Sequence, residues 1–218
     1  MSIKVLVVDD HGILRSGVKL IVDQNEDMEI VGQACDGHEG IKLARKLKPD
    51  VVLMDIGMPS LNGIDATKEI LRECPEIKIL ALSAHRNRRF VKDMLKAGAI
   101  GYALKDTMAD ELIGAIRKVN AGQRYLSEKV AELVFDDYSH GGSLEFDDKS
   151  IDKLTTRERE LLQLIAENKA TKEIAKLLHV SVKTVEARRL SITKKLGTNG
   201  IAELTKIAIR EGLTSIDF

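Results

Sequence analysis

Along roughly the first 120 residues, short apolar runs alternate with stretches whose apolar side chains recur every three or four positions. Ile3 to Val8 is the first run. Asp9-Asp10-His11-Gly12 follows it, and Ile13, Leu14, Val18, Ile21 and Val22 then share one helical face. The alternation repeats four more times: Glu29 to Ala34 before a helix from about Gly37 to Leu47, and Val51 to Met54 before one from about Gly63 to Glu73. Ile77 to Leu82 precedes a helix from about Asn87 to Lys96, and Ala99 to Leu104 one from about Ala109 to Asn120. Five strands, each followed by a helix, predict an α/β fold with a five-stranded, doubly wound parallel sheet and right-handed crossovers. The loops after strands one, three, four and five then open on one rim, where ligands bind in such sheets.

The pattern changes after residue 121. Ser127 to Tyr138 predicts a helix with Val130, Leu133 and Val134 on one face, and Ser139-His140-Gly141-Gly142-Ser143 breaks it. Residues 128–150 carry seven acids against two lysines, the composition of a solvated linker. The chain therefore divides into a first domain over 1–121, a partly helical linker over 122–150 and a second domain over 151–218. From Leu154 the period is helical throughout. Thr155 and Glu158 fit a capping box, with Leu161, Leu162, Leu164 and Ile165 behind it. Helices over about Thr171 to Leu178, Val182 to Leu196 and Ile201 to Glu211 complete an all-α, four-helix unit, with Gly197 closing the third.

Composition refines this division. Lys plus Arg and Asp plus Glu are 34 each over 218 residues, so the whole-chain balance names no partner, and 44% apolar residues suffice for ordinary cores. The halves differ: residues 1–150 hold 21 basic and 25 acidic side chains, residues 151–218 hold 13 and 9. Any nucleic acid would meet the C-terminal part. Cys35 and Cys74 lack disulfide or metal spacing, and no apolar run approaches a membrane span; together with an N-terminus unlike a signal peptide, this predicts a cytoplasmic protein without a membrane partner.

The chemistry lies on the predicted rim. Asp9 and Asp10 follow strand one, Asp55 strand three, Ser83 strand four and Lys105 strand five. Each alone has an ordinary explanation, such as a helix cap for Asp9 or a surface position for Ser83 and Lys105. Together they point to one pocket. Clustered carboxylates call for a cation, and a hard oxygen set suits Mg2+. A carboxylate beside such an ion can attack a phosphoryl group, with a lysine offsetting charge on the transferring oxygens and a hydroxyl bonding to them.

Val7-Val8-Asp9-Asp10-His11, Leu53-Met54-Asp55-Ile56-Gly57-Met58-Pro59, Leu82-Ser83-Ala84 and Gly101-Tyr102-Ala103-Leu104-Lys105 resemble the receiver domain of two-component response regulators, a flavodoxin-like fold. The resemblance implies that Asp55 is the phosphoacceptor, that Asp9, Asp10, Asp55 and the Gly57 carbonyl bind Mg2+, and that Ser83 and Lys105 contact the phosphoryl group. It also implies that Tyr102 is the aromatic switch and that a sensor histidine kinase is the donor. Asp106 stands where receivers often carry proline, which leaves the presentation of Lys105 open. A phosphohydrolase using an aspartyl phosphate would want a second Asp at position 57, which is glycine, so a regulator rather than an enzyme is expected.

In the tail, Lys169 to Lys195 holds eight basic and two acidic side chains around a helix-turn-helix pattern. Val182, Val185, Ile192 and Leu196 form the expected inner stripe of its second helix. Lys183, Thr184, Glu186, Ala187, Arg188, Ser191, Lys194 and Lys195 lie outside it, and with Lys172 these are the candidate DNA contacts. Leu154-Thr155-Thr156-Arg157-Glu158-Arg159-Glu160, Lys172-Glu173-Ile174-Ala175, Val180-Ser181-Val182-Lys183-Thr184-Val185-Glu186 and Lys195-Leu196-Gly197 resemble the LuxR-type DNA-binding domain. Joined to the receiver, they make the chain resemble a NarL/FixJ-type regulator, which implies double-stranded promoter DNA as partner and a homodimer on phosphorylation or on DNA. Glu186 and Arg188 depart from the residues common at their positions. Glu186 can accept from cytosine N4.

Overall fold

A computed structural model describes residues 2–84, 88–139, 150–198 and 200–214. The chain forms two compact units, 1–143 and 144–218, each described by itself.

In the first unit the strands are β1 (Ile3–Val8), β2 (Met28–Ala34), β3 (Val51–Met54), β4 (Lys78–Ser83), β5 (Gly101–Leu104) and β6 (Tyr125–Leu126). They form one parallel sheet in the order β2-β1-β3-β4-β5-β6. The five expected strands are thus joined by a sixth. Its two residues are too few to show a period, and pairing with Gly101 and Tyr102 is what makes them a strand.

Successive side chains of each strand leave on opposite faces, which produces two cores. Leu6, Val8, Val52, Met54, Ile79, Ala81 and Tyr102 belong to one, whereas Val5, Val7, Val51, Leu53, Leu80 and Leu82 belong to the other. The first is covered by α2 (Gly37–Leu47), α3 (Gly63–Glu73) and α4 (Arg88–Ala97), and the second by α1 (Gly12–Asp23) and α5 (Ala109–Asn120). Asp36 caps α2 and Asn62 caps α3, each accepting from the backbone N–H three residues on.

Residues 122–139, read from the sequence as the start of a linker, contain β6 and α6 (Glu128–Ser139). Val130 is 1% exposed within the first core, and the Ser127 N–H donates to the Tyr102 carbonyl at 3.0 Å. The expected break at 140–143 and the acid-rich stretch to 149 lie outside the described residues.

The second unit opens with a 3₁₀ turn over Ser150–Lys153. It continues through α7 (Thr156–Ala166), α8 (Thr171–Leu177), α9 (Val182–Leu196) and α10 (Ile201–Arg210). Thr155 and Glu158 make the expected capping box, and Gly197 ends α9 in the left-handed conformation at φ 65°. Leu161, Leu162, Ile174, Val185, Ile192, Leu204 and Ala208 form its core. Val182 is 38% exposed, so the inner stripe of α9 begins at Val185.

Candidate functional site

Register decides which side chains meet. Val8 pairs with Met54 and Met54 with Ala81, while Ser83 pairs with Leu104. The residues that continue these strands, Asp9, Asp55 and Lys105, therefore emerge side by side at the carboxyl edge. Backbone bonds hold them: Asp55 N–H donates to the Val8 carbonyl at 2.8 Å and Lys105 N–H to the Ser83 carbonyl at 2.9 Å. Described peptide bonds are all trans, that between Lys105 and Asp106 included.

Lys105 Nζ lies 2.7 Å from Asp9 Oδ2 and 2.8 Å from Asp55 Oδ2. Asp55 Oδ1 accepts from the Ile56 N–H at 2.7 Å. Asp9 Oδ1 accepts from the His11 N–H at 2.8 Å, and the His11 Nδ1 is 3.0 Å from that oxygen and 2.8 Å from Asp10 Oδ1. Burial pushes the Asp55 carboxyl above its usual range, with Asp9 adding repulsion and Lys105 opposing both. Burial works against charge on Lys105 too, but Asp55 and Asp9 hold the ammonium above its ordinary value.

Three carboxylates and one ammonium leave this cluster short of positive charge. Asp9, Asp10, His11 and Asp55 each offer a ligand atom, all within 4.8 Å of one another. Asp9 Oδ2 is buried and faces the Lys105 ammonium, which it shares with Asp55. One ammonium set between buried carboxylates leaves negative charge that a further cation would offset. The aspartate oxygens thus fit a hard divalent ion such as Mg2+. Gly57, whose carbonyl the sequence reading adds to the set, is exposed in the loop beyond β3.

Ser83 and Tyr102 are both 0% exposed and hydrogen-bonded to each other beside this cluster. Burial pushes the Tyr102 phenol up to about 12, with the Ser83 bond opposing and the Asp55 charge adding to the rise. Sequence reasoning missed Gly63. A Cβ there would sit 1.8 Å from the Asp55 carbonyl oxygen, so the backbone that carries Asp55 tolerates only glycine against it. Nothing in the helical period distinguishes such a residue.

In the second unit α8, a turn through His179 and α9 form the helix-turn-helix. Lys172, Lys183, Glu186, Ala187 and Lys194 are exposed; Thr184 and Arg188 are half-buried. Ser191 is half-buried and Lys195 exposed, and both bond to Glu158. The Ser191 hydroxyl donates to Glu158 Oε1 at 3.1 Å, and Lys195 Nζ donates to Glu158 Oε2 at 2.7 Å. Glu158 is 8% exposed; burial alone would raise its carboxyl, but bonds from Lys195, Thr155 and Ser191 hold it at about 2. The capping box signals Glu158 in the sequence. That the same carboxylate also anchors α9, 33 and 37 residues away, is not legible there.

Residues 5–117 match the family model for the response regulator receiver domain, and residues 152–208 that for bacterial regulatory proteins of the luxR family. The response regulator GacA of Pseudomonas aeruginosa is 39% identical over 215 residues, covering 97% of each chain. The transcriptional regulatory protein LiaR of Bacillus subtilis is 38% identical over 213 residues, 98% of this chain and 100% of its own. The two-component response regulator RcsB, solved in complex with DNA, superposes with a TM-score of 0.58 at 28% identity, covering 95% of this chain and 98% of its own. This chain belongs to the two-component response regulators of the NarL/FixJ type, in which a receiver domain precedes a LuxR-type DNA-binding domain. Among the described residues no helix is long and apolar enough to cross a membrane.

Proposed function

We propose that Asp55 accepts a phosphoryl group from a sensor histidine kinase, and that this controls homodimerisation and sequence-specific binding of double-stranded promoter DNA through α8 and α9. The observation that carries the reading is the sharing of Lys105 between Asp9 and Asp55 at the rim of the sheet. Asp55 Oδ2 attacks phosphorus, an O–P bond forms, and the bond from phosphorus to the donor imidazole breaks with its electron pair leaving on nitrogen. Lys105 then faces the new anion as a point charge. Asp9, Asp10, Asp55 and the Gly57 carbonyl would hold Mg2+, which when bound offsets charge on the transferring oxygens.

Ser83 is hydrogen-bonded to Tyr102, and on phosphorylation its hydroxyl would turn to a phosphoryl oxygen, so the two partners compete for one donor. Tyr102 connects onward through its own backbone, since its carbonyl holds the Ser127 N–H at the head of α6. A shift of Tyr102 thereby reaches the segment that leads to the DNA-binding unit. The chemistry on Asp55 is self-directed transfer and hydrolysis, not turnover of a separate substrate.

Incubation with acetyl phosphate and Mg2+, followed by intact mass, tests the acceptor. The wild type should gain one phosphoryl group, elute as a larger species and bind an in vitro selected duplex more tightly; Asp55→Ala should do none of these. Identical behaviour of the two proteins refutes the reading.

A further inference from the structure

Leu190 is a large apolar side chain left 68% exposed in the middle of α9. Single exposed leucines are common on protein surfaces and by themselves mean little. Its setting is less ordinary. Val185 and Ile192 bury one side of α9, and Ser191 and Lys195 are fastened to Glu158. These four anchors fix the rotation of the helix about its axis. At 100° per residue, the line opposite Val185 and Ile192 is Lys183, Ala187, Leu190 and Lys194, and all four are exposed.

Leu190 therefore lies on a stripe with a lysine toward either end, about 10 Å along the axis from Lys183. Cations at the ends of such a stripe suit phosphates, and a helix of this kind enters the major groove. Between them, side chains meet base edges. An aliphatic group offers no hydrogen bond there, and its one specific complement is the thymine C5-methyl group.

We propose that Leu190, with Ala187 beside it, packs against a thymine methyl in the major groove and so sets part of the base preference of α9. The inference rests on the DNA-binding function proposed above. Lys183 and Lys194 supply the sequence-independent attraction, Glu186 is the candidate for a cytosine amino group, and Leu190 makes its position prefer thymine.

The test selects duplexes from a randomised library with the full-length protein, activated by beryllofluoride and Mg2+, using wild type and Leu190→Ala in parallel. The selected wild-type site should contain a thymine whose preference relaxes in Leu190→Ala, other positions being kept. Replacing that thymine by deoxyuridine removes only the methyl. It should weaken wild type about three- to fivefold, the loss of one buried methyl, and leave Leu190→Ala unchanged. The deoxyuridine arm leaves the protein unaltered, so misfolding cannot mimic it. A selected wild-type site with no such coupling overturns the role of Leu190 and leaves DNA binding intact; loss of dimerisation in Leu190→Ala without change in base preference overturns it in favour of a protein contact. Failure of wild type to select any site overturns both readings.

Discussion

Each unit of this protein holds a buried carboxylate against a lysine from a distant element, and the two pairs behave in opposite ways. Asp55 and Lys105 are 2.8 Å apart, Glu158 and Lys195 2.7 Å. Yet Asp55 is pushed above its ordinary range, whereas Glu158 is held at about 2. The difference lies in the surroundings. Lys105 is divided between Asp55 and Asp9, so a single ammonium serves two buried acids. Glu158 instead accepts from the Thr155 backbone and hydroxyl, the Ser191 hydroxyl and Lys195. An acid short of donors awaits a cation or a phosphoryl group; an acid supplied with four is a structural rivet.

Removing the rivet should have the largest effect. Glu158→Ala takes away a helix cap and leaves Lys195 and Ser191 without their acceptor, a loss of about 3 kcal/mol, read as a fall in the melting temperature of the second unit. The pH dependence has the same origin. A carboxyl held below its usual 4.5 adds stability above that pH and surrenders it as pH falls toward 2, so wild type should lose this increment across that window and Glu158→Ala should lack it. Equal acid sensitivity of the two would break the comparison.

Next comes Gly63→Ala, which drives a Cβ into the Asp55 carbonyl and should cost about 2 kcal/mol while slowing phosphorylation by acetyl phosphate more than tenfold. A variant with wild-type phosphorylation kinetics would show that the loop yields freely. A smaller effect separates the lysines of α9. Lys194→Met should lower the slope of log affinity against log salt by about 1, because it removes a phosphate contact; Lys195→Met should weaken binding with the slope unchanged, because its ammonium is spent on Glu158. Equal slopes for both variants would place Lys195 on DNA after all. The smallest is Asp55→Asn. Since burial disfavours the Asp55 charge, neutralising it should raise the melting temperature of the first unit by roughly 2 °C at neutral pH, the scale of about 1 kcal/mol or less. A fall instead would mean that Lys105 needs Asp55 more than Asp55 needs water.

Much of this was legible in the chain. Apolar runs buried on both faces disclosed β1, β3 and β4, and the helical period with Gly197 at its end placed α9 to the residue. The acids and the lysine of the rim were nameable because each ends a strand, and strands of a parallel sheet end together. Period and punctuation are local properties, so local sequence states them. Three features were not written locally. β6 is a strand through pairing with β5, Gly63 is needed because a distant carbonyl presses on it, and Ser191 and Lys195 are engaged because Glu158 of another helix claims them. An isolated helix has no preferred rotation about its axis, and a two-residue segment has no period. Only packing supplies the one and pairing the other, which is why composition and spacing determined the elements and their chemistry, while the tertiary structure decided which side chains of α9 remain free to meet a ligand.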